Sequence, residues 1–166
     1  MSLTLNIIRT YRGPGAVVGG MASQGVREPQ VLVFNLMACG LIFVAQWPVL
    51  SREAALDPSL SFEERMAGAL FGVMFILPLL FYGLAGLVQL GLRVVRRPAP
   101  GILVRLAVFW AFLSIAPLML VHGGLRALVG ATPAVGAFGF VVALAFLYIL
   151  AAGLREIVRQ TRRIEA

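Results

Sequence analysis

Residues 106–125 read LAVFWAFLSIAPLMLVHGGL and carry no charge between Arg105 and Arg126. About 20 apolar residues in a helix are enough to cross the hydrocarbon core of a bilayer. The rest of the chain has the same character, since 60% of its 166 residues are hydrophobic and only 13% are charged. Soluble domains carry about 25% charged residues, so this composition leaves too little polar surface for a water-soluble fold. The sequence therefore predicts an integral membrane protein.

Three more uncharged runs of sufficient length lie on either side of this one. Together the four runs predict an all-α, polytopic fold in a single membrane domain that covers residues 1–166. The second run is too short to cross a membrane twice, and Pro78 near its middle predicts a kink. The predicted transmembrane helices cover residues 31–50, 66–92, 106–125 and 134–154.

Both chain ends are predicted to be amphipathic segments at the membrane interface. The N-terminal segment covers residues 1–30, and Gly13-Pro14-Gly15 cuts short its first apolar and basic stretch. In the tail, residues 155–166, apolar residues recur at helical spacing from Leu154 onward and arginines occupy the remaining face. Such a helix is suited to lie on an anionic membrane surface.

The positive charge consists of fourteen arginines, and the chain contains no lysine. Four spans place both chain ends and the loop between the second and third spans on one side. That side carries Arg9, Arg12, Arg27, Arg93, Arg96, Arg97, Arg105, Arg155, Arg159, Arg162 and Arg163. The other side carries only Arg52, Arg65 and Arg126. Because basic residues near span ends stay in the cytoplasm, we expect both termini to be cytoplasmic, in the inner membrane of a bacterium.

The arginine clusters also predict partners. A basic side chain near an anionic leaflet gains about 1 kcal/mol, and the guanidinium fork matches phosphate geometry. Nucleic acid is not expected, because the arginines are spread over three segments and only Tyr11 is placed to stack on a base. The residues expected to contact anionic lipid headgroups and fix the topology are Arg93, Arg96, Arg97, Arg105, Arg155, Arg159, Arg162 and Arg163.

Two local patterns support these spans. Ser61 and Glu64 have the spacing of a capping box, which predicts the start of the second helix. Trp47, Trp110 and Tyr148 fall near span ends, where amphipathic rings favour the headgroup layer.

His122, the only histidine, lies near the outer end of the third span, one turn after Met119. An ionisable residue at this depth is a candidate ligand or proton site. The alternative is an interfacial histidine beside the helix end at Gly123-Gly124. No second histidine and no acidic residue lies in any predicted span, so we expect no metal and no cofactor.

Small residues at suitable spacing predict close helix packing. Packing within one chain is the favoured interpretation, and contact with a second copy or another membrane protein is the alternative. The residues concerned are Gly68, Gly72, Gly83, Gly86, Gly139 and Ala143.

No catalytic motif can be assembled at membrane depth, so we expect a protein that is not an enzyme. The lead hypothesis is a scaffold, assembly factor or accessory subunit that acts through helix–helix and lipid contacts, with another integral membrane protein or a second copy as partner. The alternative is a small transporter or channel with a polar cavity near Pro78 and Pro117. Its lining would come from Asn35, Tyr82, Gln89 and Ser114.

The arrangement resembles that of bacterial members of the YIP1 family. The resemblance rests on RTYRGPGAVVGGM at 9–21, on LAGLVQLGLRVV at 84–95, and on VRLAVFWAFLSIAPLMLVHGGL at 104–125 after a short basic link. The D-L-Y-G-P stretch of the family is missing, and four spans replace the usual five. GTPase binding, known for eukaryotic members, is therefore not carried over. The resemblance implies a small, non-enzymatic membrane protein.

Overall fold

The structure, a computed structural model, describes residues 3–97 and 99–165, with side chains as far as Arg163. All regular elements in these two ranges are helices. The α-helices in chain order are α1 (Leu3–Arg12), α2 (Pro14–Ser23), α3 (Glu28–Leu56), α4 (Phe62–Phe71), α5 (Leu77–Val94), α6 (Gly101–Val129) and α7 (Pro133–Glu165).

Within the described residues, four helical segments are long and apolar enough to cross a membrane. Three of them are α3, α6 and α7, and the fourth runs from α4 through a π-helical stretch, Gly72–Ile76, into α5. Pro78 is the second residue after this stretch. Because proline lacks an N–H, the regular hydrogen-bond ladder is interrupted there. Each segment contains one predicted span. The prediction of an all-α polytopic membrane protein with four transmembrane helices is therefore confirmed.

The third span, α6, forms the centre of the bundle. Its side chains are buried without interruption from Leu106 to Ala116, because α3, α5 and α7 pack around it. In its most apolar window 67% of residues are buried, against 17% in the second span. A helix that is apolar on every face is stable in such a central position.

Contacts at the helix ends fix the direction of each span. Arg105 at the start of α6 pairs with Glu28 at the start of α3, and the Arg52 guanidinium near the end of α3 donates to Ala127 O at the end of α6, at 2.8 Å. These two helices are therefore parallel, and the remaining two spans run the other way. We call the end with residues 27, 93–105 and 155–163 the arginine-rich end, and the other the opposite end.

The N-terminal segment folds into a helical hairpin, α1–α2, at the arginine-rich end. Gly13 ends α1 and Pro14 begins α2, as proline favours the first position of a helix. Gly15 lies against Ala152 and Gly19 against Gln160, so α2 runs beside α7 in the same direction. The sequence predicted the interruption at Gly13 but not the second helix.

The tail does not separate from the bundle. α7 continues through residues 155–165 as one helix, and Ile157 and Val158 on its apolar face are buried. That face packs along α2, where the sequence predicted contact with a membrane surface.

Candidate functional site

Many exposed guanidinium groups lie at the arginine-rich end. All of the predicted headgroup arginines are exposed except Arg105, which is partly buried. Among the described side chains at this end, only Arg105 pairs with a carboxylate on another element, Glu28. Arg159 pairs with Glu156 one turn earlier on α7, at 2.8 Å. The other guanidinium groups in the described part of this end have no carboxylate partner, so the end carries a large uncompensated positive charge.

The link after α5 presents two of these arginines in a fixed turn. Arg97 N donates to Leu92 O at 2.8 Å and Arg96 N to Arg93 O at 3.0 Å, which is the Schellman pattern of a helix C-terminus. Arg96 occupies the left-handed position with φ 54°, where glycine is usual. The turn directs the chain out of α5 with its basic side chains exposed.

The hairpin is fastened to α6 by two polar side chains. Trp110 Nε1 donates to Thr10 Oγ1 at 3.0 Å, and both residues are buried. The Tyr11 hydroxyl donates to Ser114 O. The prediction that Trp110 lies in the headgroup layer is wrong, because the indole has a buried hydrogen-bond acceptor on α1. Neither contact follows from the sequence, since each joins residues about a hundred positions apart.

A groove of about 660 Å³ lies at the same end, between the hairpin, the start of α6 and the end of α7. Ala22 and Leu103 contribute apolar wall, while Ser23, Gln160 and Arg163 bring polar groups. The groove therefore combines a cationic side chain with an apolar surface.

The predicted packing residues have different environments. An added Cβ would meet no atom within 4 Å at four of them, Gly68, Gly72, Gly83 and Gly86. The expectation that they bring helices of one chain together is therefore not met, because their faces on the second span point away from the bundle. Ala143 is also exposed. At Gly139 a Cβ would lie 3.1 Å from His122 Nε2, so this residue does lie against α6.

Other glycines make the close contacts. A Cβ at Gly123 would overlap the carbonyl oxygen of Ala45 and lie 2.9 Å from its carbonyl carbon. A Cβ at Gly153 would lie 3.3 Å from Val18. Gly123 brings α3 to α6, and Gly153 brings α2 to α7. Their spacing in the sequence does not distinguish them from the other glycines, because the partner in each case comes from a distant part of the chain.

The structure separates Gln89 from Ser114, two of the polar residues named for a transport cavity. Asn35 is fully buried and donates to Pro78 O at 3.3 Å, while the ring of Tyr82 packs edge-on against Phe109. Gln89 lies beside Gly101, thirteen residues from Ser114 along α6, which corresponds to ~20 Å. Phe81 stacks on Phe112 in the space near Pro78.

Charged residues also organise the opposite end. The Arg52 guanidinium donates to Ala127 O and Leu128 O and so caps α6. Arg126 pairs with Glu53 at 3.5 Å. Arg65 pairs with Asp57 at 2.9 Å.

The loop before α4 follows the predicted capping pattern. Glu64 N donates to Ser61 Oγ at 3.2 Å, and Ser61 N to Glu64 Oε2 at 2.8 Å, so the predicted capping box is confirmed. Hydrogen bonds from Ser59, with Arg65 as a weaker contributor, hold the pKa of the Asp57 carboxyl below its ordinary value.

His122 lies between α6 and α7 and is half-buried. Its ring stacks on Phe138, with ring centroids 6.1 Å apart and planes inclined by 15°. It lines a pocket of about 330 Å³ between α3 and α6. Within the described residues, no three side chains of the His, Cys, Asp or Glu type are grouped to hold a metal ion.

These features define an α-helical, polytopic membrane protein with one strongly basic end. Comparison with protein-family models, with curated proteins and with solved structures gives no match to this chain. The YIP1 resemblance therefore stays a prediction from the sequence pattern.

Proposed function

We propose that this protein is a non-enzymatic component of a bacterial inner membrane, with both termini in the cytoplasm. It acts as a scaffold, assembly factor or accessory subunit by binding anionic lipids and another integral membrane protein or a second copy of itself. A YIP1-like role of this kind agrees with the sequence resemblance.

The observation that carries the proposal is the uncompensated charge at the arginine-rich end. Nine of the eleven arginines predicted for this side lack a carboxylate partner among the described side chains, since only Arg105 and Arg159 have one. Exposed guanidinium groups beside an anionic leaflet gain about 1 kcal/mol each and form forked hydrogen bonds with phosphate. The charge therefore favours binding to the lipid surface.

The second span supports the protein-partner half of the proposal. It is the least buried of the four spans, and its open glycine positions, Gly68, Gly72, Gly83 and Gly86, leave space for another helix backbone. Close approach at small residues is a common way for transmembrane helices to associate.

Purification in a mild detergent tests the partner directly. We expect a stoichiometric membrane-protein partner or a dimer in the eluted material, identified by cross-linking and mass spectrometry. Replacing Gly68 and Gly72 by leucine should dissociate the complex while leaving the monomer folded. A folded, strictly monomeric protein from native membranes contradicts the partner-binding proposal.

Lipid selectivity is tested separately, in nanodiscs that contain equal amounts of phosphatidylglycerol and phosphatidylcholine. We expect native mass spectrometry to show enrichment of phosphatidylglycerol in the lipid that stays bound. Arg96→Gln/Arg97→Gln should reduce that enrichment severalfold. The matched control, Arg65→Gln/Arg126→Gln, removes two arginines from the opposite end and should leave it unchanged. Equal retention of both lipids by the unaltered protein contradicts the proposal.

A further inference from the structure

The pocket between α3 and α6 at the opposite end combines apolar walls with polar groups at one depth. Ile42, Val49 and Met119 are among its apolar lining residues, and Gln46 and His122 are polar ones. Its volume of about 330 Å³ falls in the range of small-molecule sites, which are mostly apolar with a few placed polar groups.

The two polar side chains lie at the same level on facing helices. Gln46 follows Ala45, whose carbonyl group contacts α6 at Gly123, the residue after His122. Arg126 is four residues after His122 on α6, which corresponds to about one helical turn or ~6 Å. His122 is therefore about one turn from Arg126, and Gln46 is about two turns from Glu53, the two charged residues in the pocket lining.

Neither side chain has a hydrogen-bond partner among the described residues, although both are half-buried. His122 is held in place by stacking on Phe138 and by the space that Gly139 leaves beside its Nε2 atom. The glutamine amide has two N–H donors, and a histidine ring has at least one in any protonation state. At membrane depth, unpaired donors of this kind are costly unless an acceptor reaches them.

The charges around the pocket disfavour an anionic ligand. The Arg126 guanidinium is offset by the Glu53 carboxylate at 3.5 Å, and the Arg52 guanidinium is occupied by two main-chain carbonyl groups of α6. Among the described residues, Arg126 is the cation that lines the pocket, and it is paired with a carboxylate, unlike most arginines at the arginine-rich end. The pocket therefore presents neutral hydrogen-bond donors beside an apolar surface.

We infer that this pocket binds a neutral amphiphile through carbonyl oxygens. The oxygens accept hydrogen bonds from Gln46 and His122, and the apolar body of the ligand lies against Ile42, Val49 and Met119. Two kinds of membrane molecule share this chemistry, isoprenoid quinones and diacylglycerols. The site is separate from the arginine-rich end and does not depend on the function proposed for it.

The test measures binding of three probes to the full chain in phosphatidylcholine nanodiscs, namely decylubiquinone, dioctanoylglycerol and dioctanoyl-phosphatidylglycerol. We expect saturable binding of at least one neutral probe at one equivalent. Gln46→Leu and His122→Phe should each weaken that binding about tenfold, because each removes a hydrogen bond at a desolvated site. His122→Gln, which keeps an N–H donor, should retain most of the affinity that His122→Phe loses.

The matched control is Gln89→Leu, the same chemical change at the arginine-rich end, and it should bind the probe like the unaltered protein. The thermal midpoint of each variant shows that it is folded. Preference for decylubiquinone or for dioctanoylglycerol identifies the source of the carbonyl oxygens. Absence of saturable binding of both neutral probes, equal or tighter binding of the phosphatidylglycerol probe, or unchanged affinity in both pocket variants overturns the inference.

Discussion

Thr10 shows how a single hydroxyl positions a large side chain. Its Oγ1 accepts the Trp110 indole N–H at 3.0 Å and donates to Asn6 O at 2.7 Å. Thr10 and Trp110 are both buried, so the indole N–H has no access to water. The hydroxyl therefore joins α1 to the centre of the bundle.

Replacing this hydroxyl by a methyl group should destabilise the protein. Thr10→Val leaves the Trp110 N–H buried without an acceptor, which costs about 1–2 kcal/mol. We expect a thermal midpoint several degrees lower in detergent micelles. In the control, Thr161→Val, the lost hydroxyl bonds only to Ile157 O of its own helix, and the midpoint should hardly change. An equal decrease of the thermal midpoint in both variants would contradict a stabilising role for the Thr10–Trp110 hydrogen bond.

The same contact explains why the predicted capping box was confirmed while the predicted position of Trp110 was wrong. Ser61 and Glu64 lie three residues apart, so their reciprocal hydrogen bonds follow from local sequence alone. Trp110 has an apolar neighbourhood in the sequence, and its partner Thr10 lies a hundred residues away. The sequence shows that the Trp110 indole N–H needs a hydrogen-bond acceptor. It does not show whether water, lipid or a distant hydroxyl group is that acceptor.

Among the elements, α6 depends on close approach to its neighbours. Gly123 places its Cα against the carbonyl group of Ala45, and this contact sets the distance between α3 and α6. Apolar packing alone cannot set it, because the lipid surface is equally apolar.

Gly123→Ala should force these two helices apart. The new Cβ would overlap main-chain atoms of Ala45, which cannot rotate away as a side chain can, and overpacking of this kind costs about 1–3 kcal/mol. Gly124→Ala is the matched control, because its Cβ would meet nothing within 4 Å. We expect Gly123→Ala to lower the thermal midpoint clearly, and Gly124→Ala to leave it unchanged or raise it slightly. Thermal unfolding of both variants that gives the same midpoint would contradict this packing.

Helix α2 also lies close to α7 at Gly19, where the neighbouring atoms belong to side chains rather than to the main chain. A side chain at Gly19 would enter the space of Gln160 and Glu156, with Cβ distances of 2.6 and 2.8 Å, whereas one at Gly20 would meet open space. Gly19→Leu should therefore separate α2 from α7, and Gly20→Leu should not. Hydrogen exchange measured on peptides 14–23 and 154–163 should become severalfold faster only in the first variant. Unchanged exchange in Gly19→Leu would mean that the hairpin does not rest on α7.

At the level of elements, the four spans could be predicted because each apolar run is long and is bounded by charge. Helix α2 could not, because PGAVVGGMAS combines glycine with apolar residues and is too short to span a membrane. Its stability comes from packing on α7, which also buries Ile157 and Val158. The glycine contacts were missed for the same reason, since spacing alone does not distinguish Gly123 from Gly72, where an added Cβ would meet no atom within 4 Å.

For the whole molecule, the distribution of arginine is the property on which the account depends. Helix directions bring the basic segments before α3, between α5 and α6, and at the C-terminal end of α7 to one end of the bundle. The proposed functions of the two ends differ accordingly, with anionic lipid at one and a neutral amphiphile at the other. The anionic-lipid proposal requires the arginine-rich end to face the cytoplasm, whereas the pocket proposal does not depend on that orientation.

Site-directed labelling of two exposed serines measures this orientation. With Cys39→Ala as background, Ser23→Cys marks the arginine-rich end and Ser59→Cys the opposite end. A membrane-impermeant maleimide added to spheroplasts should label only Ser59→Cys, and permeabilised membranes should label both. Labelling of Ser23→Cys in sealed spheroplasts, with Ser59→Cys protected, would contradict the orientation and the lipid contacts derived from it.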